Sequence, residues 1–111
     1  MEESGRNPVG DFLRGLDAKA QARLIFSMEQ LRVLNVQARE PLVRHLEGKL
    51  WELRQESQTN IYRLLYFFAS GRRIVFLHGF QKKTRRTPRR EIEIAQHRLE
   101  LFVAREGDKQ R

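Results

Sequence analysis

The sequence predicts a small α+β domain: two N-terminal helices packed on a small antiparallel β-sheet, with a third helix at the C-terminus. Apolar residues recur at helical spacing in the first third of the chain and again after residue 88. The middle of the chain is instead rich in Leu, Ile, Val and aromatic residues, in runs separated by turn-like polar segments. A chain of 111 residues has room for one core but not two, so we expect a single domain over 1–111 with a polar tail from about residue 106.

The composition excludes several classes of protein. Hydrophobic residues make up 40% of the chain, which argues against a disordered protein. No run approaches the roughly 18 apolar residues needed to span a bilayer, and the acidic start, MEESG, is unlike a secretory leader. There is no cysteine for a disulfide, a thiolate zinc site or a nucleophile, so a reducing cytoplasm fits best.

The charge balance is the most informative bulk property. Lys and Arg number 22 against 14 Asp and Glu, which gives a net charge of +8. Such a balance favours polyanionic partners: nucleic acid, the ribosome or an anionic membrane surface. The charge is also concentrated in the segment KKTRRTPRR, which runs from Lys82 to Arg90. Because this segment has no apolar face, membrane binding is the weakest of the three readings.

Cap residues mark the starts of the two N-terminal helices. Asn7 followed by Pro8 is an N-cap with proline at the first helical position, and it opens a short helix that ends near Leu16. Asp17 caps a longer helix that runs to about Asn35. The apolar stripe of this second helix comprises Ala20, Leu24, Met28 and Leu31.

After a loop closed by Pro41, three apolar runs predict an antiparallel meander. Its strands are expected at Leu50 to Gln55, Ile61 to Ala69 and Arg72 to Gln81. Alternation places Glu52 and Arg54 on one face of the first strand. The second strand is nearly all apolar and therefore central, with Arg63 as its one interior charge. In the third strand we expect one face to carry Ile74, Phe76, His78 and Phe80.

The last predicted helix begins at Thr87-Pro88, again an N-cap and a proline, and runs to about Arg105. Its core stripe comprises Ile92, Ala95, Leu99 and Phe102. A second stripe, Ile94 and Leu101, falls on roughly the opposite side of the helix. This second stripe is either a docking surface for a partner protein or a surface that lies under a loop.

Four segments resemble the RelE/HigB toxin superfamily, and above all its phage-derived, HigB-like branch. They are LWELR, YRLLYFF, RRIVFLHGFQKKT and TPRREIEIA, within a similarity that spans Gly5 to Arg98. Proteins of this superfamily are toxins of type II toxin–antitoxin pairs, and characterised members cleave mRNA, commonly in the ribosomal A site. The resemblance also implies a cognate antitoxin, most often a small helix-turn-helix protein.

One expectation from the resemblance is not met by the sequence. Superfamily members usually begin with a β-strand before the segment that matches residues 4–8, and here nothing long enough precedes it. The N-terminal strand is therefore expected to be missing, either because translation starts further upstream or because the strand is truly absent. An absent edge strand leaves backbone donors and acceptors of its neighbour unpaired.

Metal-free RNA cleavage needs a base for the 2′-OH, positive charge for the pentavalent phosphate and an acid for the leaving oxygen. The resemblance places these roles on Arg63, His78, Lys82 and Lys83. Arg63 matches the arginine of a YR motif, although a buried pair with Glu52 is the alternative. The imidazole of His78 suits either acid or base work, although a lone histidine on a strand is more often structural. Crowding by neighbouring arginines lowers the pKa of the two lysines towards usefulness as bases.

A second set of cations is expected to bind the RNA or ribosome backbone through charge: Arg54, Arg85, Arg86, Arg89 and Arg90. The sequence departs from some superfamily members at Leu50 and Glu52, where those members carry lysines. It also has no tyrosine near Arg98, where some relatives place a catalytic one. The division of acid and base roles therefore stays open.

The function expected from these observations is an endoribonuclease toxin that cleaves mRNA, on the ribosome, without a metal or cofactor. Two alternatives belong to other classes. One is a non-catalytic RNA- or ribosome-binding module, or a decayed toxin that lost its first strand. The other is a toxin-fold protein that acts through protein contacts at Ile94 and Leu101.

Overall fold

The computed structural model describes residues 7–57, 60–82 and 86–109. Its helices are α1 (Pro8–Arg14), α2 (Ala18–Leu34) and α3 (Arg89–Lys109), and its strands are β1 (Val43–Glu47), β2 (Leu50–Ser57), β3 (Asn60–Ala69) and β4 (Arg73–Lys82). The four strands form one antiparallel sheet in the order β1-β2-β3-β4. The predicted α+β class is therefore confirmed.

The two N-terminal helices begin where their caps predict. The side chain of Asn7 accepts a hydrogen bond from the Gly10 N–H at 3.0 Å, and that of Asp17 accepts one from the Ala20 N–H at 2.8 Å. These bonds satisfy backbone donors that have no partner inside the first helical turn. The stripe predicted for α2 faces the sheet, with Leu24 and Leu31 fully buried.

The sheet is covered on both faces. On one face α1 contacts β4 and α2 contacts β2, over a core that includes Leu24, Leu53, Leu64 and Tyr66. On the other face α3 contacts β3 and β4, over a core that includes Leu65, Phe67, Ala95 and Leu99. Because β3 has a strand on each side and a core on each face, its nearly continuous apolar sequence is explained. We call the second face the α3 face.

Gly79 allows α1 to approach β4 closely. A Cβ atom at this position would lie 2.5 Å from the Phe12 ring and 2.8 Å from a Leu64 methyl group. Such contacts are shorter than packed atoms tolerate, so any side chain larger than hydrogen would push α1 away from the sheet.

Strand β1 was not predicted, because no element was assigned between Pro41, which closes a loop, and the first predicted strand at Leu50. The strand pairs with β2 through a two-residue turn, Gly48-Lys49, and Gly48 has a φ of 53°. A left-handed glycine in a two-residue loop is the usual signature of a tight hairpin, and this signal was in the sequence. The strand is only five residues long and lies at the edge of the sheet.

The prediction that Ile74, Phe76, His78 and Phe80 share one face is wrong. The pairing of β3 with β4 shifts by one residue between Leu65 and Tyr66, which is a β-bulge. Ile74 and Phe76 therefore pack on the α1 and α2 side, whereas Phe80 packs on the α3 face. An extra residue inverts the alternation of all residues beyond it.

Helix α3 extends to Lys109, four residues beyond the predicted end near Arg105. An ion pair between Arg73 and Glu106, with nitrogen and oxygen 2.6 Å apart, holds this last part of the helix against the start of β4. None of the described helices is long and apolar enough to cross a membrane. The question of an N-terminal strand falls on residues before Asn7, which lie outside the described residues.

Candidate functional site

Four charged side chains gather where β1, β2 and β3 run side by side. Arg44 of β1 lies directly opposite Glu52 of β2, and Arg54 of β2 lies directly opposite Arg63 of β3. Directly opposed residues point to the same face, and residues two apart on one strand do so as well. All four therefore belong to the α3 face, and we call them the arginine cluster.

Glu52 lies at the centre of the arginine cluster. Its carboxylate and the Arg63 side chain are both 0% exposed, and the Arg54 side chain is 16% exposed. The Glu52 Oε2 atom lies 3.6 Å from Arg63 Nε and 3.7 Å from Arg54 Nε. These are ion-pair distances beyond hydrogen-bond range. Within the described residues, neither Oε2 of Glu52 nor Nε of Arg54 has a hydrogen-bond partner.

Thr87 links the arginine cluster to the start of α3. Its hydroxyl accepts a hydrogen bond from Arg63 Nη1 at 3.2 Å and donates one to Glu52 Oε1. Thr87 is itself buried, and its hydroxyl bridges the two buried charges. The segment that leads into α3 is thereby fixed to the two central strands.

The electrostatics of the arginine cluster favour an anion. Burial lowers the pKa of the Arg63 guanidinium below its ordinary value; the Glu52 carboxylate opposes this shift, and the positive charges of Arg54 and Arg44 add to it. Arginine nevertheless stays protonated in proteins, so the cluster carries three positive charges against one negative. Charges that are removed from water interact more strongly, and an incoming anion would relieve the repulsion.

The arginine cluster opens to solvent through a pocket of about 380 Å³ between β1 and the start of α3. The pocket is lined by Arg44, His45, Leu46, Arg86, Thr87 and Ile92. Two of these residues, Arg44 and Thr87, also contact or border the buried charges described above. The pocket is therefore the solvent-facing side of the arginine cluster.

A second polar group on the α3 face is built around His78. Its Nε2 atom lies 2.6 Å from Glu91 Oε1, and its Nδ1 atom lies 3.2 Å from Arg98 Nη1. The same Arg98 atom donates to the Leu77 carbonyl at 2.9 Å. The imidazole also stacks on Phe80, with ring centroids 5.5 Å apart. We call His78, Glu91 and Arg98 the histidine cluster.

The partners of His78 define which of its two ring nitrogens carries a hydrogen. A guanidinium can only donate hydrogen bonds, so Nδ1 must be the acceptor and carries no hydrogen. Nε2 then carries the hydrogen and donates it to the Glu91 carboxylate. Both ring nitrogens are thus occupied by protein groups, and the His78 side chain is 14% exposed.

Most of the chain matches one known protein family. Residues 11–100 match the family described as phage derived protein Gp49-like, which carries the domain name DUF891. The chain belongs to this family. It is also 32% identical, over 93 residues, to a protein named "Probable endoribonuclease HigB1" from two strains of Mycobacterium tuberculosis, CDC 1551 / Oshkosh and ATCC 25618 / H37Rv. The aligned part is 84% of this chain and 72% of the relative.

The Gp49-like match confirms the resemblance to the phage-derived branch of the RelE/HigB superfamily. The matched range contains both charged clusters and the whole of the sheet. Family membership does not by itself assign a role to any residue, so the predicted site residues rest on where the structure places them.

The structure brings some of the predicted site residues together. Arg54 and Arg63 are cross-strand neighbours in one cluster, and Arg86 lines the pocket beside them. Lys82 ends β4 opposite Ile61, two residues before Arg63 along β3. Predictions for Lys83 and Arg85 lie outside the described residues.

Other predicted residues lie apart from the arginine cluster. His78 lies in the histidine cluster, and the exposed Arg90 is 3.8 Å from a Glu91 oxygen. Arg89 forms two hydrogen bonds to Glu47 of β1, at 2.6 and 3.0 Å. Of the predicted docking stripe, Leu101 is exposed and Ile94 is half-buried.

Several residues of these clusters were missed as site residues. Arg44 was missed because no strand was predicted between Pro41 and Leu50, although the Gly48-Lys49 turn would have placed it opposite Glu52. Glu52 was noted only as an alternative partner of Arg63. Thr87 was assigned to helix capping, and nothing in the local sequence indicates that its hydroxyl reaches two strands. Among the described residues, no group of three or more His, Cys, Asp or Glu is placed to hold a metal ion.

Proposed function

We propose that this Gp49-like protein is the toxin of a type II toxin–antitoxin pair and an endoribonuclease that cleaves mRNA on the ribosome without a metal. The arginine cluster carries this proposal, because it places an excess of fixed positive charge beneath a solvent-facing pocket. The mycobacterial relatives are named as probable endoribonucleases, and this supports the same chemistry. The net charge of +8 suits a polyanionic substrate.

In the proposed reaction a 2′-OH attacks the adjacent phosphate, and negative charge develops on the phosphate oxygens. Arg54 is suited to bind these oxygens, since it is the partly exposed member of the central Arg54–Arg63 pair. Arg63 is fully buried against Glu52 and Thr87, so we assign it a positioning role beneath Arg54. The sequence predicted a catalytic role for Arg63 and RNA or ribosome binding for Arg54, and this proposal moves contact with the reacting phosphate to Arg54.

Proton transfer is assigned to Lys82 and Lys83. Lys82 ends β4 opposite Ile61, two residues from Arg63 along β3, and Lys83 lies outside the described residues. A neutral lysine amine accepts the 2′-OH proton, and a charged one protonates the leaving oxygen. His78 was predicted for this role, and it would have to release Glu91 or Arg98 before it met RNA. We therefore place His78 second to the lysines.

The surface around the arginine cluster is proposed to bind the partners of the toxin. Arg85, Arg86, Arg89 and Arg90 are proposed to bind RNA or ribosome backbone through charge. An antitoxin, of helix-turn-helix type, is proposed to hold the toxin inactive, with Ile94 and Leu101 as its docking stripe. Action on ribosomes places the protein in the cytoplasm.

The direct test is cleavage of a 5′-labelled mRNA by the purified protein, in parallel reactions with and without programmed ribosomes. The arm without ribosomes contains EDTA, and the ribosome arm keeps the magnesium that ribosomes require. Cuts at codon positions only in the ribosome arm are expected. Cuts on free RNA in EDTA would support endoribonuclease activity and contradict its dependence on ribosomes. Intact RNA in both arms would contradict the whole proposal.

One observation favours a second candidate, a non-catalytic RNA- or ribosome-binding protein. His78 is the one histidine that the described strands place on the α3 face, and both of its ring nitrogens are occupied by protein groups. Phosphate binding by the arginine cluster needs no proton transfer. Ribosome binding with intact transcripts, measured by co-sedimentation of the purified protein, would select this candidate.

A further inference from the structure

We propose that the pocket lined by Arg44, Arg86 and Thr87 binds a second phosphate of the RNA, next to the phosphate that is cleaved. This inference deepens the proposed function and adds Arg44, a residue that the sequence did not indicate.

Two distant parts of the chain form the pocket. Arg44 comes from β1, and Arg86 and Thr87 come from the segment that enters α3. The two walls are held together by the bidentate bond from Arg89 of α3 to Glu47 of β1. This bond also neutralises Glu47, so that the carboxylate of the β1 wall does not oppose an anion.

The charge inside the pocket is positive from three sources. The guanidinium groups of Arg44 and Arg86 line it directly. The positive charges of Arg54 and Arg63 lie beside Arg44 in the same cluster, and the buried Glu52 carboxylate opposes them. The first turn of the 21-residue helix α3 follows Thr87 immediately, and the N-terminal end of a helix favours negative charge.

The spacing of two arginines favours a chain of phosphates over a single anion. Arg44 is opposite Glu52, and Arg54 is two residues further along the same strand, so the two arginines are diagonal neighbours. Diagonal neighbours on adjacent strands are about 7–8 Å apart, comparable to the distance between successive phosphates of a polynucleotide. A guanidinium also matches the oxygens of a phosphate with two parallel hydrogen bonds. One strand of RNA can therefore engage Arg54 and Arg44 in succession.

The experiment measures binding of a fluorescent 2′-O-methyl RNA by anisotropy over a series of salt concentrations. This RNA lacks the attacking 2′-OH, so the result does not depend on whether the protein cleaves. Arg44→Gln is compared with Arg44→Lys and with Lys19→Gln, which removes one charge from exposed α2. Circular dichroism melting checks that every variant is folded.

Each phosphate contact to a single strand contributes about 0.7 to the slope of log K against log salt. Arg44→Gln is therefore expected to make this slope shallower by about 0.7 and to weaken binding by about tenfold at low salt. The slope and the affinity of Arg44→Lys should fall between those of the wild type and of Arg44→Gln. The slope and the affinity of Lys19→Gln should match those of the wild type.

Two results would overturn the phosphate pocket. One is an Arg44→Gln variant whose slope and affinity equal those of Lys19→Gln. The other is that Arg44→Gln weakens binding of the protein to poly-glutamate as much as it weakens binding to the RNA. That result would show that the pocket responds to any anion or to an acidic protein. If the wild type binds RNA through Arg44 but never cleaves mRNA, the pocket stands and the endoribonuclease proposal fails.

Discussion

The arginine cluster and the histidine cluster lie on the same face of the same sheet, yet they differ in how well their groups are paired. In the histidine cluster every polar atom of the His78 ring has a protein partner. In the arginine cluster Arg54 and Arg63 share the Glu52 carboxylate. Within the described part of the chain, one oxygen of that carboxylate and the Nε atom of Arg54 lack hydrogen bonds. A buried polar group whose hydrogen bonds are all made stabilises a fold, whereas a cluster with an excess of one charge is suited to bind a ligand of the opposite charge.

The difference is informative because burying charge is costly. A buried ion pair often contributes less stability than packed apolar residues of similar size would. The arginine cluster buries a carboxylate and a guanidinium completely and adds two further positive charges nearby. Stability alone therefore does not explain the cluster, and the proposed binding of RNA phosphates does.

The largest expected effect comes from removing the central carboxylate. Glu52→Gln leaves Arg63 buried without its counter-charge, and we expect the free energy of unfolding to fall by about 3 kcal/mol in urea titrations. A double variant, Glu52→Gln with Arg63→Met, should recover most of this loss because no buried charge remains. Failure of the second substitution to restore stability would show that Glu52 does not act by balancing Arg63.

The next effect concerns the histidine cluster. His78→Ala leaves Glu91, which is 6% exposed, without its imidazole partner. An unsatisfied buried carboxylate costs about 2 kcal/mol, so the urea midpoint should drop accordingly. Glu91→Gln keeps a group that accepts a hydrogen bond and serves as the matched control, with a smaller expected loss. Unchanged stability of His78→Ala would mean that the cluster is not structural.

A smaller loss is expected at Thr87, which bridges the arginine cluster to α3. Thr87→Val keeps the shape of the side chain and removes the hydroxyl that pairs with Arg63 and Glu52. The lost hydrogen bonds should cost about 1–2 kcal/mol in the free energy of unfolding. Thr87→Ser retains the hydroxyl and should stay close to the wild type; equal losses in both variants would assign the effect to packing.

The smallest effect is expected at the exposed edge of the arginine cluster. The hydrogen bonds from Arg89 lower the pKa of Glu47 below its ordinary value, and desolvation opposes this only partly. A depressed carboxylate pKa adds stability above the ordinary pKa, and this stability is lost as the pH falls through the pKa of the folded state. Glu47→Gln should therefore unfold slightly more easily than the wild type at pH 7, and this difference should shrink as the pH is lowered. A difference that does not change with pH would rule out the ion pair as its cause.

The parts of the fold that local sequence determines were predictable. Asn7 and Asp17 cap their helices through their own side chains, so the starts of α1 and α2 follow from a few residues. The three long strands were identified because their apolar runs are long. Strand β1 and the bulge in β4 were missed, because a five-residue strand has little pattern and a one-residue shift leaves no mark in composition.

The candidate site was predictable in part and for similar reasons. That Arg54 and Arg63 lie together follows from their positions in neighbouring strands. Which of the two is buried depends on Thr87, more than twenty residues away, folding back over Arg63. The occupied nitrogens of His78 likewise depend on Glu91 and Arg98 of a helix that only tertiary packing places beside β4.

The most direct test of the account compares one residue from each cluster in mRNA cleavage on programmed ribosomes. Arg54→Gln removes the proposed phosphate ligand, and His78→Gln removes the imidazole while keeping a side chain able to donate and accept hydrogen bonds. We predict that Arg54→Gln lowers the cleavage rate by about 100-fold or more, because one preorganised donor at a developing charge contributes that much. His78→Gln should cleave nearly as fast as the wild type. Loss of cleavage in folded His78→Gln together with full activity in Arg54→Gln would contradict the account and place the chemistry in the histidine cluster.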